Sequence, residues 1–139
     1  MNMKKVYTAL LTLALIFVFS SCEDEKPLSE LIIGMWEVQS VKVVNYENNV
    51  KKTEVTYFLE ADEMALQFVE GGTGISYENG DVLGMFTWSL SGNILTMGND
   101  TEMTVSIDGD TLIWSYSETE SDNNVVYKYE FFYTAVRAG

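Results

Sequence analysis

Histidine is absent from the chain, cysteine and proline occur once each, and 8 basic residues face 21 acidic ones. Without histidine there is no imidazole base, no Ser-His-Asp arrangement and none of the commonest zinc ligand. The single cysteine, Cys22, rules out a disulfide within the chain, and a lone thiol exposed in an oxidising compartment would be a liability. Scarce proline beside 13% aromatics argues against disorder and suits strands. The formal net charge of −13 repels phosphate backbones and anionic headgroups, so nucleic-acid binding is disfavoured. The acids are spread along the chain and read as a solubilising surface. No helical periodicity lasts beyond a turn or two.

The long hydrophobic run that does occur is at the front. Lys4 and Lys5 precede Val6 to Phe19, which only Thr8 and Thr12 interrupt, and Ser20, Ser21 and Cys22 follow. This run is shorter than the roughly 20 residues a spanning helix needs, and small residues after it mark a processing site. Residues 1–21 therefore read as a cleavable signal peptide and residues 22–27 as a tether. Residues 28–139 make one domain, long enough for a single core and too short for two. In the tether, Glu23-Asp24-Glu25-Lys26-Pro27 stays extended and solvated through like charge.

Phe19-Ser20-Ser21-Cys22 resembles the lipobox of bacterial lipoproteins, with Phe19 where that family usually carries Leu. The resemblance implies that Cys22 is lipidated and becomes the mature N-terminus. Several acyl chains, at ~0.8 kcal/mol per buried CH₂, would then hold the domain on a membrane. The acids after the cysteine resemble the surface-export signal of Bacteroidetes lipoproteins, which implies an outer-membrane protein displayed on the cell surface.

Downstream, short alternating runs recur. Leu28 to Ile33 is a short apolar lead-in, in which Ser29 is placed to cap a turn of helix. Trp36 and Val38 share a face, and the apolar phase changes at Val41, Val43 and Val44, which predicts a bulge or strong coiling in a long strand. Glu47-Asn48-Asn49 makes a turn. Val55, Tyr57 and Leu59 alternate, as do Met64, Leu66 and Phe68, then Phe86, Trp88 and Leu90. Asn79-Gly80 and Asp108-Gly109-Asp110 are strong hairpin signals. Met103, Val105 and Ile107 precede Leu112, Trp114 and Tyr116. Ser117 to Asn124 reads as a polar loop before a last strand with Val125, Tyr127, Tyr129, Phe131 and Tyr133 on one face. Eight or nine antiparallel strands joined by hairpins predict an all-β, up-and-down barrel, because closure removes the edges of aromatic-rich strands.

With the strands in place, the chain resembles the lipocalin-like lipoproteins of Bacteroidetes. Gly34 and Trp36 match the Gly-X-Trp opening, and Phe68 to Gly74 a Phe-X₂-Gly-Gly-Thr-Gly segment. Phe86 to Leu95 and Asp108 to Leu112 complete the set. The resemblance implies that Trp36 packs under the closed end of the barrel and that Arg137, from the last strand, covers it. An eight-stranded barrel is just wide enough to fill with side chains or to hold one small ligand. Phe68, Phe86, Trp88, Met103, Trp114, Tyr129 and Phe131 are the candidates to line such a cavity for a small hydrophobic guest. The alternative is a filled barrel that serves as a surface-displayed interaction or inhibitor module.

No catalytic constellation emerges. Asp108-Gly109-Asp110 lacks the twelve-residue calcium-loop pattern, and Gly71-Gly72-Thr73-Gly74 is followed by no lysine and no helix. With so many acids, a glycosidase-like carboxylate pair would arise by chance. The expectation is a protein with no enzymatic activity, no cofactor and no metal.

Overall fold

Short turns dictate the topology. Asn48-Asn49, Asn79-Gly80 and Asn123-Asn124 hold positive φ at both central positions, the geometry whose twist matches the flanking strands. The computed structural model describes residues 26–138, so the leader, Cys22 and Glu23 to Glu25 lie outside the described residues. A one-turn helix, α1 (Leu28–Leu31), leads into β1 (Gly34–Glu47), β2 (Val50–Phe58), β3 (Met64–Val69), β4 (Thr73–Glu78) and β5 (Asp81–Ser91). Then come β6 (Ile94–Met97), β7 (Thr101–Asp108), β8 (Thr111–Asp122) and β9 (Val125–Arg137). Ser29 lies within α1 and makes no cap; Pro27 occupies the cap position, and α1 has no side-chain cap bond.

Eight strands close into an antiparallel, lipocalin-like up-and-down barrel in the order β1-β3-β4-β5-β6-β7-β8-β9, with β9 paired back onto β1. The ninth, β2, is extra. β1 divides one edge between two partners: Gly34–Glu37 pair with Phe68–Ala65 of β3, and Ser40–Glu47 with Phe58–Val50 of β2. β2 and β3 are thus collinear halves of a strand broken at residues 59–63. There Asp62, at φ +64°, donates its N–H to Glu37 Oε1 at 2.9 Å. Closure does not remove every edge, because β2 pairs only with β1 among the described residues. The change of apolar phase after Val38 is a β-bulge: pairing with β9 passes from Val38↔Ala135 to Ser40↔Thr134. It keeps Trp36, Val38, Val41 and Val43 facing inward.

The core fills one half of the barrel. Trp36, Val38, Leu66, Phe68, Leu95, Met103, Val105, Leu112, Trp114 and Ala135 are buried together, and Ile32, just after α1, joins them with no exposed surface. Burying each large side chain contributes about 1.5–3 kcal/mol.

Beyond Trp114 the wall becomes lopsided. β7 reaches only to Ser115 of β8, and β6 is four residues long, but β8, β9, β1 and β2 continue. Ser117 to Asp122, read from sequence as part of a loop, is strand throughout, paired from Ser117↔Glu130 to Asp122↔Val125. Its polar character follows from position: these residues stand past the core, so few apolar side chains mark them. The two hairpin tips are joined, with Asn48 N–H donating to Val126 O at 2.8 Å and Val126 N–H to Asn48 Oδ1 at 3.0 Å. The result is a raised four-stranded sheet, β8-β9-β1-β2, standing over one side of the mouth.

Candidate functional site

The residues singled out from sequence, Cys22 apart, fall at the closed end, in the packed part of the barrel and on the raised sheet. At the closed end, Trp36 is fully buried and donates its indole Nε1–H to Ile32 O at 2.8 Å. Arg137 pairs with Trp36 across the β1–β9 ladder, and its guanidinium carbon sits 4.3 Å from the ring centroid. The same guanidinium donates to Ile33 O at 3.1 Å and Leu31 O at 2.9 Å, satisfying carbonyls at and just beyond the end of α1. Gly34 completes the clamp: at φ +130°, a Cβ there would also press on Arg137 Nη1 at 3.1 Å. Asp110 lies 3.5 Å from Arg137 Nε but is highly exposed, so that pair adds little.

This clamp needs a planar fork. Arg137→Lys keeps the charge but loses the two-carbonyl grip and the stacking on Trp36. We expect a loss of about 1–2 kcal/mol of stability, read by urea unfolding. Unchanged stability would show that charge alone holds α1.

Of the seven candidate lining residues, five lie in the packed part of the barrel. Phe68, Met103 and Trp114 are core residues; Phe86 and Trp88 pack against them. Phe68 meets Phe86 and Trp88 edge-on, both at 5.6 Å between centroids. Trp88 Nε1–H is taken by the carbonyls of Thr73 at 2.7 Å and Val69 at 3.2 Å. Tyr129 and Phe131 are elsewhere, on the raised sheet. The structure therefore does not gather the seven into one cavity.

Clefts lie at the rims. One of about 750 Å³ opens at the closed end beside Trp88, Arg137, Leu31 and Lys26. Another, about 310 Å³, opens at the mouth between Leu59, Met64, Ser76, Tyr77 and Leu83. Neither is lined by Met103, Trp114, Tyr129 or Phe131.

The raised sheet carries the more distinctive surface. Pairing puts Trp114, Tyr116, Glu118 and Glu120 of β8 on its inner face with Tyr133, Phe131, Tyr129 and Tyr127 of β9. Val41, Val43, Asn45 and Glu47 of β1 continue that face, followed by Tyr57, Val55 and Thr53 of β2. The rings are ordered: Trp114 stacks on Tyr133 at 5.1 Å, and Tyr116 on Phe131 at 4.9 Å and Tyr133 at 6.1 Å. Farther along β2, Val55 and Tyr57 are 45% and 58% exposed, too open for core positions. Burial pushes the Tyr116 phenol well above its ordinary pKa, helped by a hydrogen bond with Tyr133 and the charge of Glu118. The Tyr129 phenol, donated to Glu120 Oε1 at 3.2 Å, is raised by that bond and to a lesser degree by Glu47. Both phenols therefore stay neutral at physiological pH.

Sequence reading missed Tyr116, Tyr133, Glu118, Glu120, Glu47, Val55 and Tyr57 as members of one surface. A signal was present: Glu118 and Glu120 keep the two-residue phase of Trp114 and Tyr116 straight through the supposed loop. Among the described residues no three acids or other ligating groups gather as a metal site, and no helix is long and apolar enough to cross a membrane. Comparison with protein-family models, curated proteins and solved structures returns no significant match.

Proposed function

We propose that this chain is a lipid-anchored, lipocalin-like binding protein of the Bacteroidetes kind that takes a small hydrophobic ligand at its open end. Binding rather than catalysis is the role. The observation that carries this reading is the raised sheet: strands that outrun a packed core and line their inner face with stacked, half-exposed rings. Such a surface has no structural task in closing the barrel, yet it keeps apolar area in water next to an open mouth.

The anchor fits the same arrangement. The chain enters at Lys26, which lines the closed-end cleft beside Arg137. Cys22, four residues upstream, is at most about 14 Å of extended chain away. Lipidation there would hold the closed end to an outer membrane and turn the open face away from it, outward from the cell surface. Feeding cells an alkyne fatty acid should label the protein, and Cys22→Ala should abolish the label; persistent labelling of that variant would refute the anchor.

Titration with the neutral apolar dye Nile red tests the ligand site. We expect saturable, blue-shifted emission that Phe131→Ala together with Tyr116→Ala weakens about tenfold or more, on the scale of losing two stacked rings. Absence of saturable binding by the wild-type protein would refute the reading. A second reading, a displayed protein-interaction module, draws on the packed barrel interior. Native mass spectrometry of protein from its own host separates the two, since a carrier brings a small molecule with it and a module does not.

A further inference from the structure

The two faces of the raised sheet have opposite electrostatic characters. On the outer face, Lys42 and Lys51 reach Glu54 at 3.8 and 3.4 Å, and Lys128 reaches Glu130 at 3.0 Å. Lys42 also sits over the Phe132 ring at 4.6 Å, and Lys128 over Tyr46 at 5.3 Å. Glu54, Glu130, Phe132 and Tyr46 of that side are thus matched with cations from the chain itself. Between Glu54 and Glu130 in register, Val44 is buried even though it faces outward, sheltered by charged side chains.

The inner face has rings and acceptors without the cations. Glu118 and Glu120 from β8 and Glu47 from β1 stand along the ladder of Tyr116, Phe131, Tyr129 and Tyr127. The paired strand positions put no lysine or arginine among them: Arg137 of β9 lies at the closed end opposite Trp36, and Lys52 of β2 is the residue skipped at the β1–β2 bulge. Asn45 lies beneath this ladder. In register with Tyr129, it gives its amide N–H to Thr53 Oγ1 at 2.8 Å, while its Oδ1 is enclosed with no donor among the described residues. Stacked aromatic faces carry negative quadrupoles, so rings and carboxylates here attract the same kind of group.

Resting on the proposed open-end binding reading, we propose that the site selects an organic cation: a primary or substituted amine attached to an apolar, preferably flat, body. The flat body stacks against Tyr116 and Phe131, which supply contact area. The ammonium lies toward Tyr129, where Glu120, Glu47 and the ring faces meet. A neutral guest gains only the first part. An anionic guest gains the first part and is repelled by the second.

Three probes with one indole body separate these contributions: tryptamine, 3-ethylindole and indole-3-propionate, each titrated calorimetrically into the intact domain at low and high salt. We expect tryptamine to bind about tenfold tighter than 3-ethylindole, a gain of the size cation–π contact and nearby carboxylates provide, and to lose most of that margin at high salt. Indole-3-propionate should bind weakest. The Glu118→Gln, Glu120→Gln double variant should reduce the tryptamine margin to about twofold while 3-ethylindole is unaffected, whereas Glu130→Gln on the outer face should leave it intact. Unaltered circular dichroism and melting would confirm that these variants fold. If the three probes bind equally, or the double variant keeps the margin, the cation inference is overturned and the hydrophobic-ligand reading stands. If none of the three binds and Nile red also fails, both fall.

Discussion

Trp36→Ala is expected to destabilise the domain by about 3–5 kcal/mol, the cost of emptying a large core site. In a domain of this size that corresponds to a fall of roughly 10–20 °C in Tm. Trp36 has no exposed surface, and its removal does more than open a cavity. It strands the Ile32 carbonyl that the indole N–H serves at 2.8 Å and takes away the ring 4.3 Å beneath the Arg137 guanidinium. Leaving a buried acceptor without its donor accounts for about 1–3 kcal/mol of that loss. Trp36→Phe separates the contributions: it keeps most of the ring and loses the donor, and about 1–3 kcal/mol should go. Thermal unfolding followed by far-ultraviolet circular dichroism measures both. A Trp36→Ala variant within 1 kcal/mol of wild type would mean that the closed end does not hold the barrel together.

Gly74→Val should cost about 3 kcal/mol, near the upper end for overpacking a core. Gly74 faces inward on β4 between Phe68 of β3 and Phe86 of β5. The Phe86 ring lies across it so closely that a Cβ on Gly74 would fall among the ring atoms Cε1, Cε2 and Cζ. A side chain here must expel that ring and break its edge-on contact with Phe68 at 5.6 Å. The signature is non-additivity. In a Phe86→Ala background the space is already vacant, so Gly74→Val should cost far less than alone, and urea melts of the four variants test this. Additive losses would refute the account.

The barrel was legible because its half-buried strands alternate and its turns carry Asn and Gly where positive φ is needed. Phe86, Trp88 and Leu90 announce a strand with one wet face, and Asn79-Gly80 announces its hairpin. The break of phase between Val38 and Val41 was legible too, as a bulge or strong coiling, and the pairing with β9 decides for the bulge. β2 was harder. Val55 and Tyr57 alternate, but nothing local says whether such a strand enters the ring or lies beside it, because that depends on how β1 shares an edge between two partners. Ser117 to Asp122 misled for a related reason. Hydrophobic alternation reports burial on one face, and a strand standing past the core has little burial to report. The inner surface was therefore split in the sequence between a recognised aromatic strand, Val125 to Tyr133, and an apparent loop carrying Glu118 and Glu120. Only the pairing of Glu118 with Tyr129 and of Glu120 with Tyr127 joins them.

β9 runs without interruption from the hairpin tip at Val125, over the raised sheet, to Ala135 and Arg137 at the closed end. A single strand therefore spans two environments, one sealed by Trp36 and Ile32 and one lapped by solvent on both faces. Amide protons should record that passage in hydrogen exchange: those near Ala135 should be released only when the whole domain opens, while those near Tyr127 should escape through local fraying. The proposed binding end would then be the least rigid part of the described residues, free to adjust its rings around a guest while the other end keeps the molecule folded.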